Sequence, residues 1–131
     1  MKFSYKQGLI WTTVDLFYNG KWIPIENCIL DTGSASTAID IDLIDLNYSK
    51  QTKIKRLFGI GTGTQEVISQ IVESIKIDSN IIENIEIEFG NFSSKIGING
   101  FIGNDILSKF IVQLDYPACC LNLTPSFLNT F

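Results

Sequence analysis

Cys28-Ile29-Leu30-Asp31-Thr32-Gly33-Ser34-Ala35-Ser36 sets an acid, a β-branched hydroxyl residue and a glycine directly after an apolar run. The run reads as the end of a buried strand, and the glycine marks backbone that turns or that something approaches closely. An acid held at such a junction is a constructed site more readily than a solvated turn. The triplet Asp-Thr-Gly alone arises by chance in about three of a hundred chains of this length. Its surroundings therefore decide what it means.

Upstream, Thr12 to Tyr18 and Lys21 to Leu30 flank Asn19-Gly20, which predicts a hairpin with a type I′ turn. Downstream, Ala38 to Ile41 reads as a strand and Asn47 to Lys53 as an exposed connection. Ile54 to Phe58 and Gln65 to Ile71 then bracket Gly59-Ile60-Gly61-Thr62-Gly63-Thr64, a hairpin tip whose glycines imply moving backbone or close approach of a ligand. Alternation continues through Val72 to Ile77 and Ile81 to Phe89, placing Ile81, Ile85, Ile87 and Phe89 on one face around a break near Asn84. After Phe101-Ile102-Gly103, the spacing of Ile106, Leu107 and Phe110 predicts one short helix over 104–110, capped by Asn104 or Asp105. Ile111 to Asp115 and Ala118 to Leu123 are expected to close the sheet, with Tyr116-Pro117 as the turn. The apolar run ending in Phe101-Ile102-Gly103 echoes the one ending in Asp31-Thr32-Gly33.

The class is all-β, and 131 residues with 45% hydrophobic content suit one domain, residues 1–131, with a single core. A net charge of −4 argues against a nucleic-acid-binding surface. No stretch reaches the length of a membrane span. Three cysteines, two of them adjacent, fit neither a redox motif nor a metal knuckle, so a reducing, cytoplasmic setting is expected. The absence of histidine removes Ser-His and Cys-His systems and histidine zinc sites. Hydrolysis, if any, runs on carboxylates, hydroxyls or lysines, with no cofactor and no metal; Asp40-x-Asp42-x-x-Asp45 lacks the glycine and Glu of a calcium loop and reads as a solvated edge. Cys28 reads as a buried small hydrophobe.

Taken together, Ile29-Leu30-Asp31-Thr32-Gly33-Ser34, the glycine-rich tip from Gly59 to Gly63, and Phe101-Ile102-Gly103 before Asn104-Asp105-Ile106-Leu107 resemble, in order, three features of the retroviral-type (retropepsin-like) aspartic peptidases. The resemblance runs roughly from Thr12 to Leu123. It implies a closed, barrel-like acid-protease fold with a flap hairpin, paired as a two-fold homodimer. It also implies an aspartic endopeptidase acting on polypeptide, with Asp31, Thr32 and Gly33 as the catalytic triplet, Asp31 supplying one carboxylate from each subunit. Ser34, Leu30, Gly59, Ile60, Gly61, Thr62 and Ile102 would contact substrate, with Leu30, Ile60 and Ile102 as apolar walls. Ser34 is expected to donate to the outer oxygen of Asp31 and lower the pH optimum; Thr32 is expected to hydrogen-bond across the dimer axis. Two carboxylates about 3 Å apart share one proton, so one acts as base on water while the other polarises the scissile carbonyl.

The chain departs from retroviral members at Ala35 and Asn104, where they commonly carry an acid and an arginine that pair near the dimer interface. A cellular or bacterial branch, with subunits held together differently, is the corresponding expectation. The alternative to an enzyme is a catalytically idle module of the same fold used for dimerisation or peptide binding.

Overall fold

Eight strands form one sheet: β1 (Ser4–Lys6), β2 (Leu9–Tyr18), β3 (Lys21–Leu30), β4 (Ala38–Asp40), β5 (Lys53–Phe58), β6 (Thr64–Ile77), β7 (Asn80–Gly90) and β8 (Gly100–Ile102). The computed structural model describes residues 1–58, 64–91 and 97–126. The strand order is β1-β2-β3-β8-β4-β7-β6-β5, and a further pairing of β2 with β6, Leu16 opposite Ile75, brings the sheet round on itself. This is the closed, barrel-like all-β architecture. The glycine-rich tip, with Gly59, Ile60, Gly61 and Thr62, lies outside the described residues; its stem strands β5 and β6 pair in register from Lys53 opposite Ser69 to Phe58 opposite Thr64.

Local sequence explains the hairpins. Asn19 and Gly20 both take positive φ, 53° and 78°, as a type I′ turn between β2 and β3 requires. Gln7 and Gly8 repeat that geometry between β1 and β2. A bulge interrupts the β2–β3 ladder between Thr12 and Val14, where Asn27 stands at φ 57°. It reverses the alternation of β3, so that Ile25, Cys28 and Leu30 all enter the main core, while Ile29 turns to a second cluster with Trp11 and Ile98.

The main core gathers Val14, Leu16, Ile39, Ile75, Ile87 and Phe89, each 1% exposed or less. Full burial of a side chain of this size contributes about 1.5–3 kcal/mol. Cys28 lies here too, and burial pushes its thiol up to about 12. One polar network is enclosed. Tyr18 Oη donates to Gln70 Oε1 at 2.6 Å and accepts from the Asn47 amide, while Gln70 Nε2 donates to the Asn47 carbonyl and to Thr52 Oγ1. The connection leading to β5, mostly exposed, is thereby tethered to the barrel.

Several expectations need correction. On β7 the inward set is Ile82, Ile85, Ile87 and Phe89; Ile81 is 53% exposed, because the phase reverses at Asn84, which has φ 52°. The helix, α1 (Asn104–Leu107), is shorter than the spacing predicts and has Gly103 as its N-cap residue, with no side-chain cap. Phe110 already belongs to the next strand. That strand, β9 (Phe110–Asp115), pairs with β10 (Cys120–Pro125) in a ribbon separate from the large sheet, so these two do not close it. The ribbon is fastened to the N-terminus through Phe3 N to Cys119 O and Leu121 N to Met1 O. Asp40, read as part of a solvated edge, is fully buried at the end of β4, where its carboxylate caps the 3-10 turn Ile41–Leu43 by accepting from Asp42 N.

Candidate active site

β3 and β8 run parallel, with Cys28, Ile29 and Leu30 opposite Gly100, Phe101 and Ile102. The amide of Asp31 donates to the Ile102 carbonyl at 2.9 Å, extending this pairing by one step. The two echoing segments are thus neighbours in space, and both chains turn away just beyond that bond.

At the end of β3, Asp31 is half-buried and Thr32 and Gly33 are exposed. Asp31 Oδ1 accepts from Gly33 N at 2.9 Å, and the Asp31 carbonyl accepts from Ser34 N at 3.2 Å, forming a tight turn that fixes the carboxylate at its mouth. Oδ2 has no protein partner among the described residues. A Cβ on Gly33 would stand 3.2 Å from Asp31 Oδ1, so a larger residue there presses on the carboxylate.

The second turn supports the first. Gly103 packs beneath residues 34–36 so closely that a Cβ would stand 2.6 Å from the Ser36 carbonyl carbon and 2.9 Å from the Ser34 oxygen. Its φ of −98° suits any residue, so the demand for glycine is one of contact. Asn104 donates from its amide to Ser34 O at 2.8 Å and from Nδ2 to Thr32 O at 2.7 Å. The residue in the place of the retroviral arginine therefore ties α1 to the acid-bearing loop within one chain.

Beyond Ser34 the loop is held by two carboxylates that sequence reading did not assign to it. Asp105 Oδ2 accepts from Thr37 N at 3.0 Å, and Asp105 Oδ1 accepts from Thr37 Oγ1 at 2.7 Å and Ile106 N at 2.9 Å. Thr37, fully buried, also accepts at Oγ1 from Gly103 N at 3.0 Å. Glu88 on β7, itself buried, accepts from Ser36 Oγ. A cavity of about 310 Å³ continues outward from here, bordered by Ser36, Lys55, Glu86, Glu88, Asp105 and Lys109 among others. Asp105 was legible as an acid near a helix start; nothing in the sequence pointed to its grip on Thr37.

Three sequence-derived roles change. Ser34 Oγ donates to the Ser36 carbonyl at 2.7 Å, so its single proton does not reach Asp31, whose Oδ1 accepts from the amide of Gly33. Leu30 and Ile102 lie in the main core, Ile102 with no exposed surface, and offer no wall to a substrate. Ile29 and Phe101, one residue earlier on each strand, face the other way into the cluster of Trp11 and Ile98, and Phe101 keeps partial exposure. The bulge at Asn27 carries the signal that would have corrected the phase on β3.

Among the described residues no group of acids and cysteines is arranged to hold a metal ion, and no helix is long and apolar enough to cross a membrane. Compared with family models, the chain matches that of the retroviral aspartyl protease over residues 12–115. No curated protein matches it significantly.

Proposed function

Because the chain belongs to the retroviral aspartyl protease family, we propose that it is an aspartic endopeptidase in which two copies each supply Asp31 to one active site. The observation that carries this reading is the carboxylate of Asp31. It is fixed at a strand end by the Gly33 amide, half-buried, with Oδ2 left for a partner. A lone carboxylate makes a poor catalyst for amide hydrolysis. Two, held about 3 Å apart, share a proton, so that one takes a proton from water while the other polarises the scissile carbonyl. These 131 residues contain one Asp-Thr-Gly, and in this reading the second carboxylate is the Asp31 of a second copy, which an isologous two-fold interface places opposite the first.

In this arrangement the exposed Thr32 faces the axis and bonds to its mate's loop. Gly33 admits the substrate backbone, and Gly59, Ile60, Gly61 and Thr62 supply further substrate contacts. Phe101, partly exposed, replaces Leu30 and Ile102 as the apolar wall. The three free thiols of Cys28, Cys119 and Cys120 support a reducing, cytoplasmic setting.

The test is cleavage of a denatured protein mixture from pH 3 to 7 by the wild type and Asp31→Asn, with oligomeric state recorded alongside. The expected result is a dimer active at acid pH and a variant weakened at least about 10⁴-fold, the scale on which groups that act as a unit fail. A stable dimer inert towards every substrate would replace the enzyme with a binding module of the same fold.

A further inference from the structure

The arm that leads away from Asp31, residues 34–37, has no side chain that reaches the reacting carboxylate, yet it carries more hydrogen bonds than the acid itself. Ser34 Oγ bonds Ser36 O, Ser36 Oγ bonds Glu88, and Thr37 is gripped at both its amide and its hydroxyl by one carboxylate. That carboxylate belongs to Asp105, two residues beyond the glycine on which the arm rests, and the hydroxyl it holds also receives the amide of Gly103. Thr37 Oγ1 therefore stands between the two turns, donating to one side and accepting from the other. Only a hydroxyl in one orientation satisfies both demands.

We propose that Thr37 and Asp105 are positioning residues for catalysis: their bidentate clamp locks the arm after Asp31 to the Gly103 turn and sets where the carboxylate stands relative to its mate. This rests on the reading of Asp31 as half of a shared dyad. The geometry explains why the clamp acts on position. Asp31 has one backbone bond to the neighbouring strand, at Ile102, and its next residues are exposed. Behind Asp31 the chain is anchored at Leu30, the end of β3; ahead of it the next buried residue is Thr37, so the loop between the two anchors is held at its far side by the clamp. A released arm lets the carboxylate drift, and misplacement of about 1 Å in a reacting group reduces rate about a hundredfold. Drift also weakens the coupling between the carboxylates, so the two apparent pKa values of the pair approach one another.

Thr37→Val keeps shape and removes the hydroxyl; Thr37→Ser keeps the hydroxyl; Asp105→Asn keeps shape but turns an amide towards the Thr37 N–H or gives up the hydroxyl. Each is assayed on the full chain as kcat and KM per active site titrated with a statine-type peptide, across pH 3 to 7. Thr37→Val and Asp105→Asn are expected to lose about 10- to 100-fold in kcat with KM within about twofold, and to narrow the separation of the two limbs of the pH profile. Thr37→Ser is expected to stay within about threefold of wild type. If Thr37→Val does not fold, Asp105→Asn decides alone. A loss accounted for by fewer titratable sites, with kcat per site and both limbs unchanged, overturns the positioning role and leaves a structural one. A wild type without Asp31-dependent activity overturns the dyad reading, and this role with it.

Discussion

The two strand ends that meet at the candidate site are built alike and do opposite things. β3 and β8 lie parallel and in register, each ends in apolar residues, and each turns at a glycine. At the end of β3 the glycine lies exposed and the acid before it is half-buried, so the turn presents a carboxylate to whatever docks there. At the end of β8 the glycine is pressed against the carbonyls of Ser34 and Ser36, and the turn presents its backbone to the other loop. One end does chemistry and the other holds it in place. The difference arises from the residues C-terminal to each glycine: a loop of small hydroxyl residues in one case, and the helix α1 with Asn104 and Asp105 in the other.

The sharpest way to break this comparison is to add one methyl group to each glycine. Gly103→Ala sets a Cβ against backbone on both nearest sides, and backbone pinned by Thr37 and Asp105 does not shift cheaply. A destabilisation of about 3 kcal/mol in urea unfolding is expected. Gly33→Ala meets only the Asp31 carboxylate oxygen, at 3.2 Å, which a side-chain rotation relieves. Its stability is expected to fall by under about 1 kcal/mol, while its activity falls with the displaced carboxylate. Equal destabilisation by the two alanines would show that the ends are not divided in this way.

Asn104 joins the two ends, so Asn104→Ala measures the link itself. The exposed Nδ2 bond to Thr32 O is lost and the backbone bond to Ser34 O remains. A cost of about 1 kcal/mol is expected for one neutral hydrogen bond, with protection from hydrogen exchange reduced in the acid-bearing loop and kept on β8. Loss of protection on both sides would make the two turns one cooperative unit.

Much of this was legible in the sequence because it depends on local chemistry. Asn19-Gly20 dictated its turn, and the order of Asp-Thr-Gly, the glycine-rich tip and Phe-Ile-Gly carried the resemblance that implied the acid-protease fold. The features that stayed hidden depended on phase or on distance along the chain. Asn27 and Asn84 each adopt positive φ and reverse the inward face of a strand, which is why Ile29 and not Leu30 turns away from the main core on β3, and why Ile82 replaces Ile81 on β7. Asparagine tolerates that conformation, but its presence does not require it. The clamp of Asp105 on Thr37 spans 68 residues and leaves no periodic trace. Asp40 looked solvated because it sits among other acids, yet β4 lies between β7 and β8 and buries it.

A charge pair across the cavity from the loop after Asp31 supplies the smallest effect. Lys55 Nζ on β5 lies 2.7 Å from Glu86 Oε1 on β7, reaching across β6, where Ser69 Oγ also donates to Glu86. The Lys55 ammonium, and then Ser69, hold the Glu86 carboxyl below its usual 4.5, and Glu86 in turn raises Lys55 above 10.5. A depressed carboxylate stabilises the fold above its unfolded pKa and loses that contribution as pH falls through the folded value; the raised lysine contributes fully below 10.5 and varies only in strong alkali. Both side chains are more than a third exposed, so screening reduces the pair to a few tenths of a kcal/mol. Lys55→Met is therefore expected to be slightly less stable than wild type in urea at about pH 6 and equal to it near pH 2.5, with Gly103→Ala showing the same deficit at both. A gap for Lys55→Met as large as that for Gly103→Ala would mean that charges on the outer strands, and not the pressed turn at Gly103, dominate the stability of this half of the barrel.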